Sequence, residues 1–234
     1  MHRDCYSPIL ERRYRATIAH NGTVLAKRWP CGCFGAANAF LVLVGPSMGG
    51  VLSNETPKRG GANRPHYGKM AIGRDLQSFD WHDHRKARWS RLCAEILGAE
   101  SYVSSMTSLM NLDWMNSTDE SAIPQEDLNK GLRGYVWPLL CLVRPRIICT
   151  LSNRVWDTML SAIQDCEPSN FKLRFSLADS KGNSPSRTPL VFRLPNSNFS
   201  TLLVKPHRHP SRALSYEQCS IIGRACHVFL NQPA

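Results

Sequence analysis

Ala39-Phe40-Leu41-Val42-Leu43-Val44-Gly45-Pro46-Ser47-Met48-Gly49-Gly50 is the stretch on which the reading of the whole chain turns. Six apolar residues run without a polar break, and then Gly, Pro and Ser turn the chain. An unbroken apolar run of this length, closed by turn residues, suits a strand buried on both faces, as in a parallel sheet. Open α/β sheets place their ligand sites at the carboxyl ends of such strands. Gly45, Gly49 and Gly50 can let the backbone approach a ligand closely or take positive φ. Function is therefore sought first in residues 45–50.

The rest of the chain supports an α/β reading. A helix is predicted over about 81–97, with Trp89, Leu92, Cys93, Ile96 and Leu97 on one face and Gly98 as its stop. A second strand falls within 102–109 and ends in the polar-aromatic turn Met110-Asn111-Leu112-Asp113-Trp114. A helix starts near Pro124, where proline is tolerated and Glu126 and Asp127 suit the positive end of the dipole. It carries Leu128, Leu132, Tyr135, Val136, Leu139, Leu140 and Val143, with a kink expected at Pro138. Arg144-Pro145-Arg146 leads into a third strand over 147–150, and a helix follows over 153–163. An edge strand is expected at 171–177 and a Ser/Pro/Gly loop at 179–189. A last strand covers 201–204, and a closing helix covers about 216–230. Strands alternating with helices require crossovers, hence a mainly parallel sheet covered on both faces. The predicted fold is three-layer α/β/α around a central, mainly parallel, four-stranded sheet. Residues 1–36 read as an N-terminal extension and 37–234 as one domain.

The totals narrow the partners. The chain has 234 residues, 29 Lys and Arg against 18 Asp and Glu, and a net charge of +11. A basic surface of that size attracts polyanions, and nucleic acid is the leading candidate. The basic, proline- and glycine-broken segment 53–74 reads as a long loop beside the suspected site. No apolar run approaches the roughly 20 residues of a membrane helix. Met1-His2-Arg3-Asp4-Cys5 has no apolar core behind it, so a cytoplasmic (bacterial) or nuclear location is expected, with no membrane partner. A monomer is expected.

No metal or cofactor is expected either. The nine cysteines are scattered, and in a chain without a leader they suit buried thiols better than disulfides. Cys31-Gly32-Cys33 lacks the usual Cys-x2-4-Cys zinc spacing. His82 and His84 lie in a polar, basic stretch that reads as a solvated face.

Two families share strings with this chain. Gly45-Pro46-Ser47-Met48-Gly49 fits Gly-x-Ser-x-Gly and resembles the nucleophile elbow of α/β-hydrolases, the lipases and esterases. That resemblance implies Ser47 as nucleophile and His209 as its base, with Asp157 or Asp165 between them in the chain. An elbow must, however, be followed by a helix, and here residues 51–54 soon meet Pro57 and Gly60-Gly61. Only 38 residues precede the strand, too few for the strands that family places before its elbow.

Taken with the other end of the chain, the same turn resembles the uracil-DNA glycosylase superfamily. In that family a Gly-x-Asp/Asn-Pro-Gly type motif follows the first core strand and a His-Pro-Ser motif follows the last. Here the pair is Gly45-Pro46-Ser47-Met48-Gly49 and His209-Pro210-Ser211. Leu142-Val143-Arg144-Pro145-Arg146-Ile147-Ile148-Cys149 matches the family's helix leading through Arg-Pro into a short apolar strand. The resemblance spans residues 40–214.

That resemblance implies a DNA glycosylase that hydrolyses the N-glycosidic bond of uracil, or of a related damaged base, flipped into a pocket. Bond cleavage builds negative charge on the leaving base. His209 would donate to that charge, an electrostatic role. Gly45, Pro46 and Met48 would hold the base and water through backbone groups, and Asn111 would read the base edge, with Ser105 aligning as well. Ser211 would press on a strand phosphate. Lys205, Arg208 and Arg212, with His207, would add charge along the backbone. Leu214 would be the wedge that fills the vacated stack. Phe79, Tyr67 and Trp114 are the candidates for the aromatic that stacks on the base. Ser47 stands where active members often carry Asp or Asn to orient the water, and serine is no base at neutral pH. The fold without the chemistry, a nucleic-acid-binding protein that releases no base, therefore stays as an alternative beside the hydrolase.

Overall fold

A computed structural model of the protein describes residues 33–36, 38–47, 87–113, 120–164, 166, 168–169, 176–185, 187–210 and 214–232. These residues form an α/β fold on one mixed sheet. Its strands are β1 (Cys33–Gly35), β2 (Leu41–Gly45), β3 (Thr107–Asn111), β4 (Ile147–Thr150), β5 (Pro168–Ser169), β6 (Leu190–Arg193) and β7 (Ser200–Val204). The spatial order is β1-β3-β2-β4-β7-β6-β5. β3, β2, β4 and β7 run parallel, whereas β1, β6 and β5 join antiparallel at the flanks. The four predicted strands are thus the parallel centre of a seven-stranded sheet. The chain reaches back into that sheet at Cys33–Gly35, where the sequence reads as a loop.

The helices are α1 (Ala87–Leu97), α2 (Gln125–Gly131), α3 (Trp137–Val143), α4 (Asn153–Ile163) and α5 (Tyr216–Leu230). Alternation along each central strand divides the core in two. Leu41 and Leu43 pack with Leu92, Cys93, Ile96, Ile222 and Phe229, hence against α1 and α5. Val42 and Val44 pack with Leu128, Leu132, Leu139, Val155 and Met159, hence against α2, α3 and α4. Ile147 and Cys149 join the first cluster and Ile148 the second, as do Leu202 and Leu203 in turn. Both faces of the sheet are therefore covered, which is why these strands carry no polar alternation.

Several expectations are corrected in detail. The second strand begins at Thr107, because Val103–Met106 closes a helical turn first. Leu190–Arg193 is a strand that the sequence leaves unassigned. Its two central residues are buried and its last is exposed, as befits a flank. Of the edge strand expected at 171–177, residues 176 and 177 are not in a strand and the rest lie outside the described residues. The break near Pro138 is a π-helical turn at Leu132–Val136, which runs directly into α3 with Pro138 in its first turn. The described free cysteines are Cys93, Cys141, Cys149, Cys166, Cys219 and Cys226. Burial pushes the Cys149 thiol up to about 12, so it is inert at neutral pH.

Ser152 fixes where β4 hands over to α4. It is the N-cap of that helix, its Oγ accepting from Val155 N at 3.1 Å while donating to the Glu120 carboxylate. Arg154, two residues on, donates to the carbonyls of Glu120 and Ile123, the latter at 2.7 Å. Ser152→Ala is expected to cost about 1 kcal/mol. That would lower the thermal midpoint by about 2–4 °C, which calorimetry would check.

Candidate active site

Numbered among themselves, the parallel strands β2, β3, β4 and β7 lie in the order 2-1-3-4. The chain leaves β2 through α1 on one face to reach β3. It then returns over the opposite face, through α2 and α3, to β4. Strand order reverses between β2 and β4, and the crevice outside their carboxyl ends is the switch point where such sheets bind ligands.

The residues at that edge can be placed row by row. Gly45 pairs with Asn111, and Val44 pairs with both Met110 and Thr150. Cys149 pairs with Val204, so one step further Thr150 lies beside Lys205. Parallel pairing between the first two strands continues into their turns. Leu112 N donates to Gly45 O at 3.0 Å, and Asp113 N donates to Pro46 O at 2.7 Å. On the other side Leu151 N donates to Val44 O at 2.9 Å. The Gly45-Pro46-Ser47 turn is thereby held from both neighbours.

Gly45 is required by close approach. A Cβ there would lie 2.8 Å from Asn111 Oδ1 and 3.3 Å from Leu151 Cδ1. The amide of Asn111, only 1% exposed, therefore lies over the Gly45 backbone. Ser47 is half-buried beyond it. Among the described residues, the non-glycine residues at positive φ are Arg144 and Asn196. Ser47 accordingly does not take a left-handed conformation.

β7 delivers the second group. His209 is half-buried, and its imidazole meets the Trp89 ring edge to face, with centroids 4.9 Å apart and planes at 82°. Trp89 is in the first turns of α1, which packs on the face that Asn111 also takes, so the ring of His209 is braced from the α1 side. β2 and β7 are two strand spacings apart, roughly 10 Å. His207 is fixed through Nδ1, 2.7 Å from Ser184 O. Arg208 is exposed beside it. A cavity of about 300 Å³ lies behind this segment, walled by Asp179, Asn183, His207, Arg208 and Gln218. A larger cavity of about 700 Å³ lies between α1 and α5, lined by Arg91, Glu95, Tyr216 and Arg224, and includes none of the predicted site residues.

Two expected contacts are corrected. Leu214 is 2% exposed and belongs to the core cluster under α1 and α5, so it is not free to enter a base stack. Lys205 is 5% exposed, with Nζ donating to Pro206 O at 3.0 Å, so it lies under the surface instead of along it. Burial first of all lowers its pKa, because an ammonium loses hydration there. Ser105 is exposed on the helical turn before β3 and bonds Tyr102 O, away from the edge; Asn111 is the residue at the edge. Asp157 is held by Arg187 in a two-pronged pair, with N–O distances of 2.9 Å. Met48, Ser211, Arg212, Tyr67, Phe79, Trp114, Asp165, His82, His84 and the basic loop lie outside the described residues.

The structure brings Gly45 and Asn111 into contact, ties Pro46 to Asp113, leaves Ser47 next in the same turn, and carries His209 to the same edge. Trp89 and Thr150 are additions. Thr150 had a legible signal, a lone polar residue ending an apolar strand; Trp89 reads from sequence only as part of an apolar helix face. Among the described residues no group of three or more His, Cys, Asp or Glu could hold a metal ion, and no helix is long and apolar enough to cross a membrane. No family model matches the chain, and no curated protein matches it in sequence.

Proposed function

We propose that the protein is a DNA glycosylase of the uracil-DNA glycosylase-like fold. In this reading it hydrolyses the bond between deoxyribose and uracil, or a related damaged base, held in the crevice at the carboxyl edge of the sheet. The observation that carries this is that the two motif-bearing turns leave the same edge of the sheet, one strand apart. The turn after β2, capped by Asn111, and the turn after β7, bearing His209, lie at one edge beside the switch point. Asn111 places an amide, a group with both donor and acceptor, against the Gly45 turn at this edge. His209 supplies a donor whose orientation Trp89 restrains, suited to an anionic leaving base. Arg208 adds exposed charge beside it for a backbone phosphate, in a chain of net charge +11.

The hydrolase reading is weaker on two counts. Ser47 lacks the strained turn that presents a nucleophile at an elbow. Asp157 is committed to Arg187, so it does not orient His209.

Purified protein on a uracil-containing oligonucleotide separates the alternatives. Abasic product that persists in Ser47→Ala and disappears in His209→Ala supports the glycosylase. Hydrolysis of an activated ester that is lost in Ser47→Ala would establish the hydrolase instead. Tight DNA binding with no abasic product would leave the binding protein.

A further inference from the structure

The row at the edge of β4 and β7 holds two polar groups that the proposed chemistry does not use. Thr150 is fully buried, and its Oγ1 has no hydrogen-bond partner. Lys205, one step beyond the last paired row Cys149–Val204, is buried with a single bond from Nζ to the carbonyl of the following residue. An ammonium has three protons to donate. A buried cation without a counter-charge is costly, and so is a buried hydroxyl without a partner.

The charged neighbours do not fill the gap. Lys205 feels Glu120 and Asp157 as attractive charges and Arg187 as a repulsive one. The Glu120 carboxylate accepts from Ser152 Oγ, and the Asp157 carboxylate is taken by Arg187. Neither forms an ion pair with Lys205 among the described residues. Side-chain alternation sets the face. Met110 and Val44, in the same row as Thr150, pack toward α2, α3 and α4. Thr150 and Lys205 therefore lie on the opposite side of the sheet edge from Asn111 and from the Trp89–His209 pair.

We propose that Thr150 Oγ1 and Lys205 Nζ form a site for a compact phosphate-type oxyanion, either free phosphate or the phosphate of a mononucleotide. The anion accepts from both groups and supplies the counter-charge that the buried lysine lacks. It sits outside the carboxyl ends of β4 and β7, one strand from the switch point. Burial lowers the pKa of Lys205 in the unoccupied site, and a bound anion would push it back up. This site stands independently of the glycosylase reading, and its test needs no DNA cleavage.

The test is thermal unfolding of the full-length protein at constant ionic strength. Inorganic phosphate and a nucleoside 5′-monophosphate are titrated separately against chloride. At about 100-fold over its Kd, an anion in the site is expected to raise the midpoint by on the order of 5 °C. Lys205→Met is expected to fold, since it removes a buried charge, and to lose that rise; Thr150→Val should weaken it. A rise with phosphate identifies the free ion as sufficient, and a rise with the mononucleotide alone identifies the nucleotide as the source. No saturable rise with either anion in the wild-type protein would overturn the proposal, as would an equal rise in Lys205→Met.

Discussion

Replacing His209 by alanine is expected to lower uracil excision by 10²- to 10³-fold in kcat, a loss of about 3–4 kcal/mol of transition-state stabilisation. As the glycosidic bond breaks, the base takes the electrons, and a donor fixed beforehand at the base oxygen gains strength as that charge grows. His209 is suited to this because its ring is braced against Trp89 with centroids 4.9 Å apart. Little reorganisation then remains for the moment of reaction. Ser47→Ala is the informative comparison. A neutral hydroxyl that places a water is worth about 1 kcal/mol, so the loss should be no more than about tenfold. Single-turnover rates on one uracil-containing duplex measure both. Comparable losses in the two variants would mean that Ser47 has a chemical role this account does not give it.

The largest effect on stability is expected at Gly131, the last residue of α2. A methyl group built there would overlap the backbone carbonyl of Leu112, which follows Asn111 directly. Backbone cannot swing aside as a side chain can. Gly131→Ala must therefore push α2 away from the strand exit that carries Asn111 and Asp113. A cost of at least about 3 kcal/mol is expected, at the upper end for overpacking. The corresponding fall in the unfolding midpoint is about 6–12 °C. Gly134, three residues on, has nothing within 4 Å of such a methyl. Gly134→Ala should change stability by less than about 1 kcal/mol. Calorimetry on the pair isolates packing from helix propensity, and equal midpoints would contradict the account.

The centre of the fold was legible because its strands are apolar on both faces. Residues 39–44, 147–150 and 201–204 each announce a strand, and each is one of the parallel four. The helices at 153–163 and 216–230 were legible from 3.6-residue spacing, and each has a serine N-cap where it starts, Ser152 and Ser215. The flanks were not. Cys33–Gly35 and Pro168–Ser169 are too short to show a period, and Leu190–Arg193 offers only three apolar residues between a Ser/Pro loop and Pro195.

Legibility of the site follows the same division. Gly45, Asn111 and His209 sit where strand ends meet turn residues, a position that sequence reveals. Leu214 and Lys205 were misplaced because burial of a loop residue depends on what lies over it. Leu214 packs with α5, which starts two residues on, and with α1, which is distant in sequence, and no local pattern reports the latter. The one-residue step that puts Thr150 beside Lys205 is likewise a matter of register between strands some 50 residues apart.

The most direct test of the central claim is release of the base itself. DNA carrying uracil labelled in the base is incubated with purified protein, and free base and strand are separated. The account predicts free uracil in equal amount to new abasic sites, with both lost in His209→Ala. Labelled base that stays on the strand while the protein binds it would contradict the claim.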